Sequence, residues 1–270
     1  MYIDSHCHLT HSHITELGNA AEIVANANKA NVVGMQTICC RIAEEFDDIL
    51  TTVKPMKNVW CSVGTHPHDA SVEAEKAYSV DDIVKLANSD PKVIGIGESG
   101  LDYFYDHADR KDQEIGFRKH IQAAQETGLP LIVHSRDADD DCIRILKEEG
   151  AGVKNIRGVL HCFSSSEKMA MEGLDLGFYI SFSGMITFKK MDWLRDIAAK
   201  VPMDRLLIET DAPFLAPAPF RGKTNQPAYI ENTALAVAKI FDKTRTEMGQ
   251  ITADNFFTLF DKALQTWEKP

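Results

Sequence analysis

The chain has 270 residues, of which 44% are hydrophobic and 26% are charged, and its formal net charge is −11. This length suits a single α/β barrel of about 250 residues. The acidic balance argues against broad, non-specific wrapping of a polyanion, but it leaves open a nucleic acid held at one deep, metal-charged site.

Neither a membrane-spanning segment nor a secretion signal is expected. No apolar run reaches the roughly 18 residues that a membrane helix needs, and the first residues enter a strand that already contains Asp4. The six cysteines form no Cys-x-x-Cys pair, which is typical of reduced thiols. The sequence therefore predicts a cytoplasmic protein with no membrane contact and no obligate protein partner.

Short apolar runs alternate with amphipathic segments along the chain, and no linker or internal repeat interrupts them. The apolar runs predict strands at 2–6, 32–38, 59–63, 93–97, 131–134, 158–161, 178–182 and 206–209. The amphipathic segments predict helices at 21–30, 43–53, 80–87, 110–127, 138–149, 167–174, 191–199 and 230–241. Gly128 and Gly150 stand where helix C-caps are expected. A further helix is predicted at 251–267, with Thr252 to Asn255 as its start.

Eight strands, each followed by a helix, predict an α/β fold of the (β/α)8 TIM barrel type, with residues 1–270 in a single domain and an extra C-terminal helix. The alternative is an open, doubly wound sheet. No Gly-x-Gly-x-x-Gly opens a helix after the first strand, and Gly95 and Gly97 fall inside a predicted strand. The barrel is therefore favoured.

The C-terminal ends of barrel strands converge on one rim, where active sites are built. His6 and His8 are two residues apart on the first strand, so their side chains share a face. A lone histidine at a strand end is usually structural. Several uncompensated polar groups buried together would be costly, however, unless a metal paired with them. Five of the predicted strands end in such residues: His6, His8, Glu98, His134, His161 and Asp211.

Six ligands exceed the roughly three that one catalytic zinc takes from a protein. They suit two divalent ions about 3.5–4 Å apart. Glu98, on the fourth strand, is expected to bridge the two ions. The proposed partition is one ion held by His6, His8, Glu98 and Asp211, and the other held by Glu98, His134 and His161. The metal, whether Mg, Mn or Zn, stays open because histidine-rich sites accept several ions.

Seven motifs in order give the sequence a family resemblance. They are Asp4-Ser5-His6-Cys7-His8-Leu9, Gly64-Thr65-His66-Pro67-His68, Gly97-Glu98-Ser99-Gly100-Leu101-Asp102-Tyr103, Leu129-Pro130-Leu131-Ile132-Val133-His134-Ser135-Arg136, His161-Cys162-Phe163-Ser164, Ser181-Phe182-Ser183-Gly184 and Glu209-Thr210-Asp211-Ala212-Pro213. Together they resemble the TatD family of metal-dependent deoxyribonucleases, among the amidohydrolase-like barrels. The resemblance implies an exonuclease acting on single strands or ends of DNA, and the family's two-metal ligand set falls on the same six residues.

Two carboxylates are predicted to be catalytic. Metal-activated hydroxide would attack a phosphodiester in line, with Glu98 bridging the ions and Asp211 accepting the proton from the water. Glu209 shares a strand face with Asp211 and is expected to orient a ligand from behind. A structural pairing of Glu209 with an arginine or lysine is the alternative.

Substrate contacts are predicted at His66, which ends the third strand, and in the proline-rich loop 213–227. Arg221, Lys223 and Asn225 of that loop suit phosphate, although a solvated loop with exposed cations is the plainer alternative. The aromatic residues at 103–105 could stack a base, with core or lid packing as the expected use of two of the three.

Two other functions compete with the nuclease. A bimetal rim of this kind also suits hydrolysis of a small phosphoester, amide or lactone. A non-catalytic scaffold would normally have lost ligands, and none of the six is missing.

Overall fold

The computed structural model describes residues 1–269. Eight parallel strands pair in sequence order: β1 (Tyr2–Cys7), β2 (Val32–Thr37), β3 (Val59–Val63), β4 (Val93–Asp102), β5 (Leu131–Arg136), β6 (Gly158–Leu160), β7 (Tyr179–Phe182) and β8 (Leu206–Ile208). At the seam, the Asp211 N–H donates to the His6 carbonyl over 2.9 Å, and the His8 N–H donates to the Ala212 carbonyl over 2.8 Å. The sheet is therefore a nearly closed barrel, and the predicted fold class is confirmed.

Helices follow every strand. They are α1 (Ser12–Thr15), α2 (Ala20–Lys29), α3 (Ile42–Val53), α4 (Glu73–Lys76), α5 (Val80–Ala87), α6 (Arg110–Thr127), α7 (Asp139–Glu149), α8 (Glu167–Asp175), α9 (Asp192–Ala198), α10 (Ile230–Ile240) and α11 (Arg245–Leu259). Most predicted boundaries lie within one or two residues of these. The main exceptions among the strands are β4 and β5, which run on to Asp102 and Arg136 and carry both residues to the rim.

Capping residues explain where several helices begin and end. Gly128 and Gly150 end α6 and α7 with φ of 69° and 102°, a conformation that glycine adopts without steric cost. The predicted start of the C-terminal helix near residue 251 is wrong. Thr244 caps α11, and its side chain and that of Glu247 form a reciprocal capping box. That hydrogen-bonded start makes the helix begin at Arg245, and Thr252 lies inside it.

The C-terminal helix closes one end of the barrel. Phe256 of α11 and Phe260, which caps its C-terminal end, are fully buried against apolar side chains from the first or second residue of seven strands. Those side chains are Ile3, Trp60, Ile94, Ile132, Val159, Tyr179 and Leu207. Because α11 and this layer fill the N-terminal end of the barrel, only the opposite rim is left to form an open site.

Two glycines allow the strands to approach closely beside Glu98. A Cβ on Gly64 would lie only 2.3 Å from the Cα of Gly97. Gly97 itself has φ of +122°, and the pairing of β4 with β5 shifts register between Ile96 and Ser99. This irregularity sits where the carboxylate of Glu98 enters the barrel. Side chains at either glycine would disturb it.

None of the helices found within residues 1–269 is long and apolar enough to cross a bilayer. The six cysteines are free thiols. Burial raises the pKa of Cys61 and of Cys142 to about 12, so both stay protonated at neutral pH.

Candidate metal centre

The two histidines at the end of β1 lie side by side, as the strand period predicts. The ring of His6 stacks on that of His161 with centroids 3.9 Å apart and an interplanar angle of 7°. His8 Nε2 lies 3.4 Å from Asp211 Oδ1. The seam between β1 and β8 therefore brings Asp211, more than 200 residues away in sequence, beside the first two histidines.

Glu98 is the centre of the cluster. Its Oε1 lies 2.6 Å from His161 Nε2, 2.9 Å from His134 Nδ1 and 3.4 Å from His66 Nε2. Its Oε2 lies 3.4 Å from His6 Nε2. One buried carboxylate thus faces four imidazoles from four strands, which is the arrangement expected of a carboxylate shared between two ions.

Donor atoms within 4.8 Å of one another form three overlapping groups that could hold a metal ion. They are His6, His161 and Asp211; His6, His8 and Glu98; and His66, Glu98 and His134. This grouping differs from the partition drawn from the sequence. His161 comes together with Asp211 as well as with Glu98, and His66 joins Glu98 and His134. The six predicted ligands lie together, with His66 beside them.

The donor set fits a divalent cation. His6 is 1% exposed, yet neither of its ring nitrogens has a hydrogen-bond partner among the described residues. Leaving such atoms buried and unpaired is costly. A cation between His6 and the carboxylates would satisfy a nitrogen that the fold leaves without a partner. Imidazoles and carboxylates together suit Zn, Mn or Co, and less specifically Mg.

The protonation states support the same assignment. Burial by itself raises the pKa of Glu98, but the charge of His161 and hydrogen bonds from His134 and His161 hold it well below its usual range. Burial lowers the pKa of His161, yet Glu98 and Glu209 more than offset this and raise it well above its usual value. Without metal, a proton on His161 balances the charge of Glu98, and a divalent cation would take the place of that proton.

Two buried carboxylates contact His161 and His134 at the ring nitrogens that face away from Glu98. Glu209 Oε1 lies 3.3 Å from His161 Nδ1, and no arginine or lysine in the described chain pairs with Glu209, so the alternative structural pairing is wrong. Asp102 Oδ2 lies 3.1 Å from His134 Nε2 and 2.9 Å from His68 Nε2. A hydrogen bond to one ring nitrogen fixes the tautomer of that histidine. His134 therefore turns Nδ1 toward Glu98, and His161 turns Nε2 toward Glu98.

We expect the Glu209→Gln protein to bind its metals about 10- to 100-fold more weakly, because the amide cannot supply the negative charge that holds His161 in place. Competition with a chromogenic chelator measures this affinity. Glu16→Gln, at an exposed position outside all three donor groups, is a matched control. Equal metal affinity in wild type and Glu209→Gln would contradict the positioning role.

The loop residues predicted to bind substrate lie elsewhere. Asn225 is fully buried, and its amide donates to the carbonyls of Thr210 and Phe214 over 2.8 and 2.7 Å. The prediction that Asn225 contacts substrate is therefore corrected, because its donors are already used in folding the loop after β8. Arg221 lies 3.5 Å above the ring of Phe188. Neither Arg221 nor Lys223 lines the cavity that opens over the metal centre.

That cavity is open and has a volume of about 1900 Å³. His8, His66, Glu98, His134, His161 and Asp211 all reach it. Phe104 and Tyr105 also line it, with 54% and 48% of their surfaces exposed. Tyr103 is half-buried and donates its hydroxyl to Asp141 over 3.1 Å. Packing in the core is therefore excluded for Phe104 and Tyr105, whereas lid packing and base stacking stay predictions for both.

Sequence reasoning underrated Asp102, His68 and Cys40. Asp102 ends the extended β4, and the thiol of Cys40 lies 3.8 Å from His8 Nδ1 and 4.0 Å from Glu98 Oε2. Asp102 lies four residues after Glu98 in the same sequence motif. The missed signal is that β4 continues as far as Asp102. Nothing in the local sequence singles out Cys40.

The TatD related DNase family model matches residues 3–261. This chain belongs to the TatD family. Among the relatives of this TatD family member, the uncharacterized metal-dependent hydrolase YcfH of Escherichia coli K12 is 41% identical over 262 residues, covering 96% of this chain and 95% of YcfH. The family is therefore one of metal-dependent hydrolases, and this chain is one of its members.

Two further comparisons extend the TatD family match. The 3'-5' ssDNA/RNA exonuclease TatD of Klebsiella pneumoniae is 31% identical over 245 residues, covering 88% of this chain and 90% of that protein. The crystal structure of YJJV, a TatD homologue from Escherichia coli K12, superposes with a TM-score of 0.83 at 27% identity, covering 96% of this chain and 98% of that one. The barrel is thus the fold of the family.

A buried histidine outside the cluster holds the segment that carries His66. His120 Nε2 accepts the backbone N–H of Thr65 over 3.0 Å, and Nδ1 donates to the Gly116 carbonyl over 2.8 Å. Burial lowers the pKa of His120 to about 4 from an ordinary 6.5, so the folded protein holds it neutral.

This pKa shift predicts a loss of stability in acid. Between pH 6.5 and 4, His120 is protonated in the unfolded chain but neutral in the folded protein. As the pH falls through this range, the free energy of unfolding drops by up to about 3 kcal/mol. Above pH 6.5 His120 is neutral in both states, so this loss of stability is absent. In urea unfolding with EDTA, the stability difference between wild type and His120→Gln should shrink across this window. Parallel pH curves for the two proteins would refute it.

Proposed function

We propose that this chain is a deoxyribonuclease that uses two divalent metal ions to hydrolyse DNA phosphodiesters, acting as an exonuclease on single strands or ends. The observation that carries the proposal is the buried carboxylate of Glu98 facing four imidazoles at one side of an open cavity. The family model's description and the printed name of the Klebsiella relative support the choice of DNA.

The ions would be held by His6, His8, Glu98, His134, His161 and Asp211. When bound, they supply Lewis acidity toward a phosphoryl oxygen and lower the pKa of water to about 7. The chain's own contribution is to hold these ligands rigidly. Glu98 is 2% exposed and each of its oxygens faces at least one imidazole, so the site needs little reorganisation when substrate arrives.

Asp211 is the residue placed to accept a proton. Burial raises its pKa, but a hydrogen bond from His8 and the charges of His6, His8 and His161 outweigh this and lower it. Asp211 is therefore ionised at neutral pH. It lines the cavity beside His8, where it can take a proton from an attacking water and pass it to solvent.

His66 is suited to contact the phosphate or the leaving group. Burial lowers its pKa to about 4, so the imidazole is neutral at pH 7. Its Nδ1 accepts the backbone N–H of His68 over 3.1 Å, which leaves Nε2 to carry the proton toward Glu98 and the cavity. A neutral donor at this position can hydrogen-bond to an oxygen of the substrate without adding charge.

A second candidate is a bimetal hydrolase of a small phosphoester, amide or lactone. The observation in its favour is the acidic rim of the cavity, which would repel a long polyanion. The carboxylates on this rim are Glu44, Glu45, Asp48, Asp69, Asp137, Asp139, Asp140, Asp141 and Glu167. Several of them pair with neighbouring cations, which weakens the repulsion without removing it.

The test is hydrolysis of a short single-stranded DNA by metal-stripped protein, with and without added Mg²⁺ or Mn²⁺. We expect the ions to restore cleavage, and we expect the His134→Ala protein to stay inactive because it lacks the donor 2.9 Å from Glu98. His13→Ala, an exposed histidine outside the cluster, is the matched control and should behave as wild type.

Stepwise release of mononucleotides in the same assay supports an exonuclease, whereas internal fragments would contradict that part of the proposal. If folded protein binds two ions and still cleaves no DNA, the nuclease proposal fails. Hydrolysis of a small phosphodiester or lactone by that same preparation would then support the second candidate.

A further inference from the structure

Arg136 differs from the other cations of the cavity. It ends β5, two residues after His134, and both side chains line the cavity over the metal centre. Among the described residues, its guanidinium has no carboxylate or other hydrogen-bonding partner. It lies instead 4.1 Å above the ring of Phe104 and 4.7 Å above that of Tyr105. Its five N–H donors are therefore available at the rim.

The other cations that line the cavity are neutralised. Arg41 pairs with Glu44 and Glu45, Arg110 pairs with Asp106 through two hydrogen bonds, and Lys168 pairs with Asp140. Among the described cations that line this acidic-rimmed cavity, Arg136 is therefore the exception, because it has no carboxylate partner. Arg136 is also half-buried and packed over two aromatic rings, so little side-chain entropy is lost when it binds an anion.

The aromatic pair beside Arg136 is exposed. Phe104 and Tyr105 meet edge to face with centroids 4.9 Å apart, and about half of each surface is open to solvent. The side chain of Asp102 fixes their backbone by accepting both N–H groups, over 3.0 and 2.9 Å. Asp102 also contacts His134, so it links the aromatic pair to the candidate metal centre.

We infer that Arg136, Phe104 and Tyr105 form a nucleotide subsite, in which Arg136 binds the phosphate next to the scissile one and Phe104 stacks the adjoining base. A guanidinium binds phosphate oxygens in a bidentate manner, and exposed aromatic rings stack unpaired bases without regard to sequence. The inference rests on the proposed function. It adds that the substrate is single-stranded and spans at least two phosphates.

The experiment uses fluorescence anisotropy to measure how tightly metal-free protein, in the presence of EDTA, binds a fluorescein-labelled oligothymidylate of eight nucleotides. Arg136→Gln is expected to raise Kd about 10- to 100-fold, the range of a lost charged hydrogen bond. Arg110→Gln is the matched control. It removes the same charge from an arginine that also lies above an aromatic ring, 4.1 Å from Tyr103, but is already paired. It should change Kd by less than about twofold.

Phe104→Ala tests the stacking partner in the same assay and should raise Kd about tenfold, whereas Phe104→Trp should keep most of the affinity. Equal Kd values for wild type and Arg136→Gln, equal losses in the Arg136 and Arg110 variants, or no binding by wild type would each overturn the subsite.

Hydrolysis separates this result from the nuclease proposal. With metal restored, the loss of kcat/KM in Arg136→Gln should be at least about tenfold larger for the oligothymidylate than for bis(p-nitrophenyl) phosphate, which has a single phosphate. Arg136-dependent binding without any DNA hydrolysis would contradict the nuclease proposal and support the subsite. DNA hydrolysis in which Arg136→Gln loses the same factor of kcat/KM on both substrates would support the nuclease proposal and contradict the subsite.

Discussion

Glu98→Gln is expected to lower DNA hydrolysis by about 10³-fold or more and to reduce the metal content of the purified protein. Four imidazoles from four strands share this carboxylate, at distances of 2.6 to 3.4 Å. The amide keeps the shape of the side chain but loses the negative charge that would help to hold the proposed metal ions. The measurements are kcat/KM on a short single strand and metal analysis after dialysis.

Glu44→Gln is the control for this variant, because Glu44 lines the same cavity but is exposed and, within residues 1–269, pairs only with Arg41. It should keep activity within about twofold of wild type, as expected for a surface ion pair. A Glu98→Gln protein with full metal content and more than about a tenth of wild-type activity would rule out a shared carboxylate at the centre of the site.

Asp211→Asn is expected to abolish turnover while leaving much of the metal bound. The other five proposed ligands, His6, His8, Glu98, His134 and His161, remain in this variant. An amide cannot accept the proton that the ionised Asp211 would take from water, so the loss should fall on kcat, again by about 10³-fold or more. Single-turnover hydrolysis together with metal analysis measures both quantities.

Asp48→Asn provides the matched control, since Asp48 is an exposed carboxylate on the rim of the same cavity. Its turnover should equal that of wild type. An active Asp211→Asn enzyme with full metal content would show that Asp211 is not the proton acceptor. An inactive one that has lost its metals would assign Asp211 to metal binding alone.

The family, the barrel and the predicted ligand cluster followed from local patterns. Strands of a parallel barrel are buried on both faces, so they read as short apolar runs, and their C-terminal ends must meet at one rim. Polar residues directly after such runs, such as His6, Glu98 and His134, could therefore be assigned to one site before any distance was known. Their roles as ligands await the variants described above.

The assignments that failed depend on contacts that no local sequence pattern reveals. Asn225 resembled a phosphate contact in a polar loop, but its amide is used by two backbone carbonyls of its own loop. Arg221 was favoured because loops at the rim often bind substrate. The available cation at the cavity is Arg136 instead, because β5 runs two residues further than the apolar pattern indicates. Ion pairing of the other cations could not be read from their neighbours in sequence.

What the sequence by itself determined is the periodic pattern of the chain: eight apolar runs, the histidine and carboxylate residues that end them, and the family those motifs identify. Only the tertiary structure decided which donor atoms face each other, which carboxylates orient them and which cation stays unpaired. The physical reason is that strand identity is set by residues one or two positions apart. Coordination, hydrogen bonding and charge pairing are set by atoms within about 4 Å, and the barrel brings such atoms together from residues as distant as His6 and Asp211.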